Sequence, residues 1–443
     1  MNVHIDKKVK FMDLFAGMGG IRIGFEKAFN KRGIETECIL TSEIKPAAIK
    51  ALENNFNHHQ FVGDITKIDE KSIEDFDFLL AGFPCQPFSN AGNRLGFDDI
   101  RGTLFFDVAR ILKEKKPYGF ILENVEGLVT HDLQNKGDEM GKTLRTILNV
   151  LSELDYNVTW KLLDSKDFGV AQSRKRVYIV GTKNAAVNLE GFEKKSAILD
   201  DILEKGLETK DSHFTRCLFS HYSPSQLYGK AIKDKRGGKA NIHSWDIELK
   251  GTVSNQQKAV LEQLFKERRK KKWAEEIGIK WMDGMPLTLE QIKTFNDSPN
   301  LKEALDDLVE KGYLKLEHPK DEVYVQSGGK TLKKRMPDIT KEKGYNIVSG
   351  KLSFEFTKIL DPNDITPTLV ATDVSKLGVI DNNGLRQLSL REGLRLCGYP
   401  ENYSLDCLDK IDEGFDLLGN TVVINVVEEV ADRLANEYLK EKE

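Results

Sequence analysis

Short apolar runs alternate with amphipathic stretches over the first 185 residues of the chain. Buried strands are predicted for the runs VKFMDLFAG, CILTSEI, FDFLLAGF, YGFILENV and RVYIVGTK. Helices are predicted for the stretches IRIGFEKAF, PAAIKALENNF, FFDVARILKEK and GKTLRTILNVLSELDY, whose apolar residues recur every three or four positions. Strands that alternate with helices predict an α/β fold with a mostly parallel sheet covered on both faces.

This alternation stops near residue 186. Residues 186–385 contain turn-rich segments and a predicted helical insert at about 255–312. Beyond them, REGLRLCGY predicts a short helix, and GNTVVINVVEEVADRLANEYLKEKE predicts one long amphipathic helix. The pattern therefore divides the chain into residues 1–185, 186–385 and 386–443.

Composition narrows the class of protein. The 443 residues are 40% hydrophobic and 31% charged with a net charge of -4, which is typical of a globular protein and gives no global field for nucleic acid or a membrane. The five cysteines are scattered without a C-x-x-C pair, so neither a disulfide framework nor a metal site is expected. Because the chain has no apolar run of about 18 residues and no leader-like N-terminus, we expect a cytoplasmic protein with no membrane partner.

Candidate ligand-binding residues follow the predicted strands. In DLFAGMGG the glycines Gly17 and Gly19 let the backbone turn sharply and approach a ligand, although Arg22 breaks the spacing of a dinucleotide motif. Glu43 and Asp64 end the next two strand-like segments, where carboxylates accept hydrogen bonds from ribose hydroxyls and an adenine amino group. These residues predict a nucleoside ligand without a diphosphate, while an ordinary turn with solvated carboxylates stays open.

Candidate reactive residues follow later strands. Cys85 stands between two prolines that fix its direction, so a reactive thiol and a packed one are both open. Glu123 follows the apolar run GFIL at the end of a strand. Either desolvation there raises the pKa of its carboxyl, so that it can donate a proton, or the side chain simply faces solvent. Arg174 and Arg176 are two residues apart on an extended segment and point the same way, as a clamp for an oxygen or as a solvated basic face.

In this order the motifs resemble those of the cytosine-C5 DNA methyltransferases of the bacterial type II modification kind. The resemblance covers residues 11–182 and 386–434 and rests on DLFAGMGG, GDIT, GFPCQPFS, ENV, QSRKR, LREGLRLCGYP and LLGNTVV. It implies a Rossmann-like, S-adenosylmethionine-dependent methyltransferase fold plus a smaller target-recognition domain. Residues 1–185 would be the catalytic domain, 186–385 the recognition domain, and 386–443 the late motifs with a helix that returns to the catalytic domain.

The resemblance also implies roles for single residues. Cys85 would add as thiolate to C6 of a flipped-out cytosine, Glu123 would handle the N3 and amino edge, and Arg174 would hold the O2 side with Arg176 as support. Gln86 and Ser89 would line a loop that closes on the DNA. Contacts to the cosubstrate S-adenosylmethionine are implied for Phe15, Gly17, Glu43, Asp64, Pro84, and also for Gly19 and Asn420. No metal is implied.

The variable region 186–385 is expected to read the DNA sequence. Its basic run LFKERRKKKW, with Arg268, Arg269 and Lys270, is either a phosphate-binding segment or a solvated helix face. The order helix, helix and hairpin that follows it is similar to a winged-helix module on DNA, and an insert that only packs on its neighbour is equally compatible.

The function implied is methylation of cytosine C5 within a short double-stranded DNA site, in protection against a cognate restriction endonuclease that acts separately. We expect a monomer in the bacterial cytoplasm, associated with the nucleoid through DNA. Two alternatives stay open: a tRNA cytosine-C5 methyltransferase, disfavoured by the large variable region, and an inactive DNA-binding regulator, disfavoured by the intact motifs. A Cys–His hydrolase is excluded because no histidine follows a strand in a comparable motif.

Overall fold

A computed structural model describes residues 8–57, 60–84, 104–133, 135, 137–234, 240–327, 330–348 and 354–442. The chain divides into two compact units. The first unit consists of Met1–Glu204, Pro362–Ser375 and Leu388–Glu443, and the second of Lys205–Asp361 and Lys376–Gln387. Residues 186–204 and 362–375, assigned above to the variable region, thus belong to the first unit.

The first unit is built on a mostly parallel sheet. Its strands are β1 (Val9–Leu14), β2 (Thr36–Ser42), β3 (Phe61–Val62), β4 (Phe78–Gly82), β5 (Gly119–Val125), β6 (Asn157–Asp164) and β7 (Lys175–Thr182). Over the described residues their order is β3-β2-β1-β4-β5-β7-β6, with β7 antiparallel to both neighbours and the other pairs parallel. The predicted α/β class is confirmed. Strand β6 was not predicted, because as an edge strand it is mostly half-buried and lacks a continuous apolar run.

Helices follow the strands of this sheet. They are α1 (Gly20–Lys31), α2 (Pro46–Asn55), α3 (Leu104–Lys115), α4 (Gly127–Thr130) and α5 (Lys142–Glu153), with short 3-10 turns at Ile65–Lys67, Glu70–Ser72, Ser165–Asp167 and Leu199–Asp201. Pro46 stands at the first position of α2, where its missing N–H costs no hydrogen bond. The predicted helices of residues 1–185 are therefore all present.

The second unit mixes short helices with small antiparallel or mixed sheets. Its helices are α6 (His213–His221), α7 (Pro224–Leu227), α8 (Asn255–Glu267), α9 (Lys271–Ile277), α10 (Leu289–Lys293) and α11 (Leu301–Glu310). Its strands are β8 (Ala231–Ile232), β9 (Asn241–Ile242), β10 (Leu314–Glu317), β11 (Lys320–Ser327), β12 (Lys330–Pro337), β13 (Gly344–Ile347), β14 (Lys358–Ile359), β15 (Leu377–Asp381) and β16 (Gly384–Gln387). Strands β10 and β13 pair, β11 and β12 form a hairpin, and the remaining five form one sheet.

The C-terminal segment returns to the first unit as α12 (Leu390–Leu396), α13 (Ile411–Asn420) and α14 (Ile424–Lys442). A further 3-10 turn at Val374–Lys376 precedes β15 in the chain. The long helix predicted from Gly419 is wrong at its start, because α13 ends at Asn420 and α14 begins at Ile424. Val422 and Val423 between them are buried in the core. Over the described residues no helix, α14 included, is long and apolar enough to span a bilayer.

The two faces of the large sheet bury two separate apolar clusters. Successive residues of β4 alternate between them: Phe78 and Leu80 join α1 and α14, whereas Leu79 packs with α3 and α5 on the opposite face. This alternation follows from the two-residue period of a strand. It explains why the central strands read as continuous apolar runs, and it leaves the strand ends as the place for polar side chains.

Candidate active site

The carboxyl ends of the parallel strands border a cavity of about 500 Å³ in the first unit. Nine of the residues predicted for the site line this cavity, namely Phe15, Gly17, Glu43, Asp64, Pro84, Glu123, Arg174, Arg176 and Asn420. Cys85, Gln86 and Ser89 lie outside the described residues. Pro84, directly before Cys85 in the chain, is the last described residue of that segment. The fold thus brings the predicted ligand-binding and reactive groups to one edge of the sheet.

The glycine turn between β1 and α1 uses the left-handed region of the backbone. Gly17 has φ 55° and leaves open space where a Cβ would stand, so a ligand can approach its backbone closely. Gly19 has φ 73°, and a Cβ there would lie 2.6 Å from the ring of Phe56. Gly19 is not among the cavity-lining residues. Gly19 is closely packed before α1, and its cosubstrate contact stays a prediction.

Glu43 is anchored by backbone groups on both carboxylate oxygens. Its Oε1 accepts hydrogen bonds from the N–H groups of Ile44 (2.7 Å) and Lys45 (2.8 Å), and its Oε2 accepts one from Gly17 (2.8 Å). A carboxylate has about four acceptor sites, so Glu43 still has capacity for a ligand hydroxyl. Sequence reasoning missed Ile44, which lines the cavity with 69% of its surface exposed. A large apolar residue directly after a strand-terminal glutamate was the signal.

Asp64 is held in place by a local turn. Its Oδ1 accepts hydrogen bonds from the N–H of Thr66 (3.1 Å) and from the Thr66 hydroxyl (2.7 Å), and these bonds lower the pKa of the carboxyl. Asp64 is therefore ionised at neutral pH and can accept from a ligand amino group. Together with Glu43 and Ile44, it gives the cavity two fixed acceptors beside an apolar wall, which fits a nucleoside.

Glu123 is the buried acid of the site, with 9% of its surface exposed. Burial raises the pKa of its carboxyl, although Arg176 and Arg174 act in the opposite direction. The Oε1 atom of Glu123 lies 3.1 Å from Nε of Arg176. A carboxyl with a raised pKa keeps a proton to higher pH and can give it to a base in the cavity.

Asn124 connects this acid to the segment that leads to Cys85. Its side-chain amide donates a hydrogen bond of 2.8 Å to the backbone carbonyl of Phe83, two residues before Cys85. Asn124, a residue of β5, is itself buried. The ENV motif therefore supplies a positioning amide next to its acid, a role that the sequence alone did not show.

The two arginines have different environments. The guanidinium of Arg174 is buried and donates to the carbonyls of Leu369 (2.8 Å) and Gly419 (3.0 Å), and burial lowers its pKa to about 10. Arg176 instead faces Glu123. The cation placed against the candidate proton donor is thus Arg176, whereas Arg174 mainly ties β7 to two later segments of the same unit.

Asp13, near the end of β1, is a buried carboxyl that the sequence reasoning missed. It is fully buried, and neither carboxyl oxygen has a hydrogen-bond partner among the described residues. Burial raises its pKa to about 8, opposed by the positive charge of Arg22. The signal in the sequence was a single aspartate inside the apolar run VKFMDLF. Asp13 precedes the glycine turn in the chain, and its carboxyl is protonated over most of the acidic pH range.

Replacing Asp13 by asparagine is expected to make the stability less sensitive to pH. The raised pKa means that the folded state holds a proton that the unfolded state releases, so the contribution of Asp13 is complete below the unfolded value of 3.8 and is lost as the pH rises through about 8. Each unit of pKa difference corresponds to about 1.4 kcal/mol. The unfolding free energy of D13N relative to the wild type should therefore be higher at about pH 9 than at about pH 5 by a few kcal/mol. Denaturant unfolding of both proteins at the two pH values measures this difference. A constant difference at both pH values would contradict this assignment.

The basic run of the second unit does not form one solvated helix face. Arg268 is 3% exposed, and its Nη1 donates to Oδ1 of Asn346 at 2.5 Å. Arg269 pairs with Asp283 at 2.9 Å, and Lys270 pairs with Glu267 at 2.5 Å on the surface. Arg268 is therefore part of the interior of the second unit, and its DNA contact stays a prediction.

The sheet order, the glycine turn and the carboxylates at the strand ends define a methyltransferase of the kind that binds a nucleoside cosubstrate. Solved structures with this fold include the Dnmt2 methyltransferase of S. pombe, which matches 98% of this chain and 99% of its own with a TM-score of 0.51 at 15% identity. The methyltransferase EhMeth of Entamoeba histolytica matches equally, with a TM-score of 0.51 at 15% identity. At this identity the likeness shows the fold alone.

Sequence comparison identifies the family. The family model for C-5 cytosine-specific DNA methylases matches residues 9–436. The type II methyltransferase M.NlaIV of Neisseria lactamica is 57% identical over 97% of this chain and 99% of that protein, and M.BanI of Aneurinibacillus aneurinilyticus is 39% identical over 98% and 97%. The chain belongs to the family of C-5 cytosine-specific DNA methylases. It transfers a methyl group from S-adenosylmethionine to cytosine C5 in DNA.

Proposed function

We propose that the cavity at the strand ends holds S-adenosylmethionine on one side and a flipped-out cytosine on the other. The observation that carries this proposal is that one cavity joins the acceptors Glu43 and Asp64 to the pair formed by Glu123 and Arg176. The two anchored acceptors suit the ribose and adenine of the cosubstrate. S-adenosylmethionine supplies an electrophilic methyl group on a sulfonium when bound. Phe15, Gly17, Pro84 and Asn420 are its further proposed contacts.

The residues of the chain act on the base. The Cys85 thiolate forms a bond to C6 of cytosine while Glu123 gives a proton to N3, and the ring becomes an enamine whose C5 is nucleophilic. After C5 gains its methyl group, the C5 proton is lost to a solvent base, the N3 proton returns to Glu123 and the C6–S bond breaks, which restores the aromatic ring and frees the thiolate. C6 and C5 are stacked inside a duplex, so the base must leave the helix before this reaction. Gln86 and Ser89 are proposed to contact the DNA beside the emptied position.

The roles of the two arginines are proposed in the opposite order to the sequence-based expectation. Arg176, which faces Glu123 in the cavity, is proposed to hold the O2 side of the base and to fix the acid. Arg174 is a positioning residue, because its guanidinium is occupied by two backbone carbonyls.

We therefore expect R176A to lower kcat/KM for DNA by about 10²-fold with little change in thermal stability. R174A removes two buried hydrogen bonds and should cost about 2–4 kcal/mol of unfolding free energy. Methyl-transfer kinetics and thermal melts of both variants check this. The assignment would be contradicted if R176A melted far lower than R174A while keeping its rate.

The second unit, Lys205–Asp361 with Lys376–Gln387, is proposed to read the target sequence. Relatives named as type II methyltransferases support a role in restriction–modification, in which methylation protects host DNA from a cognate endonuclease. The protein is proposed to act in the bacterial cytoplasm on nucleoid DNA, as a monomer and without a metal.

Incubation of the purified protein with S-adenosylmethionine carrying a labelled methyl group, beside unmethylated genomic DNA and total tRNA, tests this function. We expect label in DNA as 5-methylcytosine, with bisulfite sequencing placing it in one short motif. Label in tRNA alone would move the function to RNA. Binding of DNA without label in either substrate would identify a regulator.

A further inference from the structure

A module with its own core lies within the second unit. Its helices and strands pack around one apolar cluster that includes Trp245, Leu264, Trp273, Leu305 and Tyr345. Along the chain, α8 and α9 are followed by an extended residue, Leu287, that pairs with Tyr345 of β13. Then come α10, α11, β10, the hairpin β11–β12 and finally β13, which pairs with β10. This order is that of a winged helix, with the β11–β12 hairpin as its wing.

Helix α11 holds the position of the recognition helix in such modules, but its charge does not suit DNA. Its sequence LKEALDDLVE contains four acidic residues and one lysine. Leu301, Leu305 and Leu308 form its buried face. Of its acidic residues, Glu303 and Glu310 are exposed, and Asp306 and Asp307 are half-buried. Phosphates would meet net negative charge along this helix, which opposes binding.

The hairpin has the opposite character. Strand β12 reads KTLKKRMP, with four cationic residues and no acidic one. Lys333 and Arg335 pair with Glu322 at 2.7 and 3.1 Å, whereas the exposed Lys334 has no ion-pair partner within the described part of the chain. In register with Lys333 stands Tyr324, with 68% of its surface exposed. A cation beside an exposed aromatic ring is a common pair in nucleic-acid binding.

The hairpin also exposes apolar side chains on the face opposite Tyr324. Val323, Leu332 and Met336 are 36%, 43% and 49% exposed. A two-stranded hairpin with little covering it is marginally stable in water, so these exposed side chains favour a partner. A two-stranded ribbon fits the major groove of DNA, where apolar side chains can contact thymine methyl groups.

The base of the hairpin is joined to the basic run. Arg335 donates from Nη2 to the carbonyl of Trp281 at 2.9 Å, and the indole N–H of Trp281 donates to the carbonyl of Arg269 at 2.8 Å. Trp281 itself is 43% exposed. The turn Arg269–Lys270 and the exposed Lys271 therefore belong to the same surface as the hairpin, although they are about 60 residues away in sequence.

We propose that the β11–β12 hairpin, and not helix α11, is the part of this module that lies on duplex DNA, with Tyr324 on one face of the ribbon and Lys334 on the other contacting the two walls of a groove, and with Lys271 at a phosphate. This inference rests on the proposed role of the second unit in reading DNA. Its basis is charge complementarity, since β12 carries four cationic residues and no acidic one, whereas α11 carries four acidic residues and one lysine.

The double variant Y324A/K334Q tests the proposal in the full-length protein. Both side chains are exposed, so thermal melting should match the wild type. Binding to a labelled, unmethylated duplex that contains the target motif mapped by bisulfite sequencing should weaken by about 10- to 100-fold. The slope of log affinity against log salt should fall by about one, for the single lysine removed. Binding of S-adenosylmethionine should not change.

K302Q is the matched control, because it removes one exposed lysine from α11. Its affinity should stay within about twofold of the wild type with an unchanged salt slope. Wild-type affinity in the hairpin variant, or an equal loss in K302Q, would overturn the proposal. The proposal would also be overturned if the hairpin variant bound DNA normally but had a different sedimentation coefficient from the wild type, because the hairpin would then bind a second copy of the chain. A wild type that binds the duplex but methylates nothing counts against the proposed function only, whereas one that binds no duplex overturns both.

Discussion

Replacement of Cys85 by serine is expected to reduce methyl transfer to DNA by about 10⁴-fold or more. The reaction needs a soft nucleophile that is ionised near neutral pH, and a serine hydroxyl is neither soft nor ionised there. The loss should appear in kcat, because the acceptors Glu43 and Asp64 and the glycine turn, which line the cavity proposed for the cosubstrate, are unchanged in this variant. Single-turnover transfer from labelled S-adenosylmethionine to duplex DNA measures this effect.

The matched control is C217S, since Cys217 is a free, partly exposed cysteine on α6 of the second unit. We expect C217S to keep wild-type rates within about twofold. If C85S retained more than about a tenth of the wild-type rate, covalent attack by Cys85 would be ruled out.

Replacement of Glu123 by glutamine is expected to lower kcat by about 10²- to 10³-fold. Glutamine keeps the size of the side chain and can still accept a hydrogen bond, but it cannot give a proton to N3. The variant also loses the ion pair with Arg176, which weakens DNA binding to some degree. The affinity should nevertheless change less than the rate, because the lost proton transfer acts only on the chemical step. Rapid-quench measurement of the chemical step, together with binding of duplex DNA and of S-adenosylmethionine, separates the effect on the rate from the effects on binding. Equal losses in cosubstrate binding and in rate would instead show a structural role.

The pKa of Glu123 gives this prediction a pH dependence. Burial raises the pKa, so the protonated donor form extends above the usual range of a glutamate, and its fraction falls as the pH rises through the folded value. The same sign holds for stability, where the contribution of this carboxyl is complete at low pH and is lost as the pH rises through the folded pKa. The wild-type rate should therefore fall as the pH rises through the pKa of Glu123, whereas the residual rate of E123Q should not show this fall.

The catalytic half of the molecule could be predicted from local sequence because its strands are buried on both faces. Runs such as FDFLLAGF and YGFILENV allow few other structures, and parallel strands bring the residues that follow them to one edge. Glu43, Asp64, Glu123 and Arg176 therefore meet in one cavity as expected. Strand β6 was missed because an edge strand needs no continuous apolar run.

Other features depend on long-range packing that a sequence does not reveal. Arg174 and Arg176 have the same spacing and chemistry, and only the carbonyls of Leu369 and Gly419 distinguish their roles. Arg268 belongs to a basic run, yet its bond to Asn346 places it inside the module. Gly19 belongs to a motif that predicts a ligand contact, and only the structure shows the ring of Phe56 packed against it.

The central claim is that Cys85 attacks C6 of cytosine in duplex DNA. A duplex with 5-fluorocytosine at the target position tests it, because after methyl transfer C5 has no proton to lose and the C6–S bond cannot break. Denaturing electrophoresis and mass spectrometry of the digested complex should find DNA bound to the Cys85 peptide, only when S-adenosylmethionine is present. Formation of 5-methylcytosine in ordinary duplex, without any adduct on the fluorinated one or with an adduct on another cysteine, would contradict this mechanism.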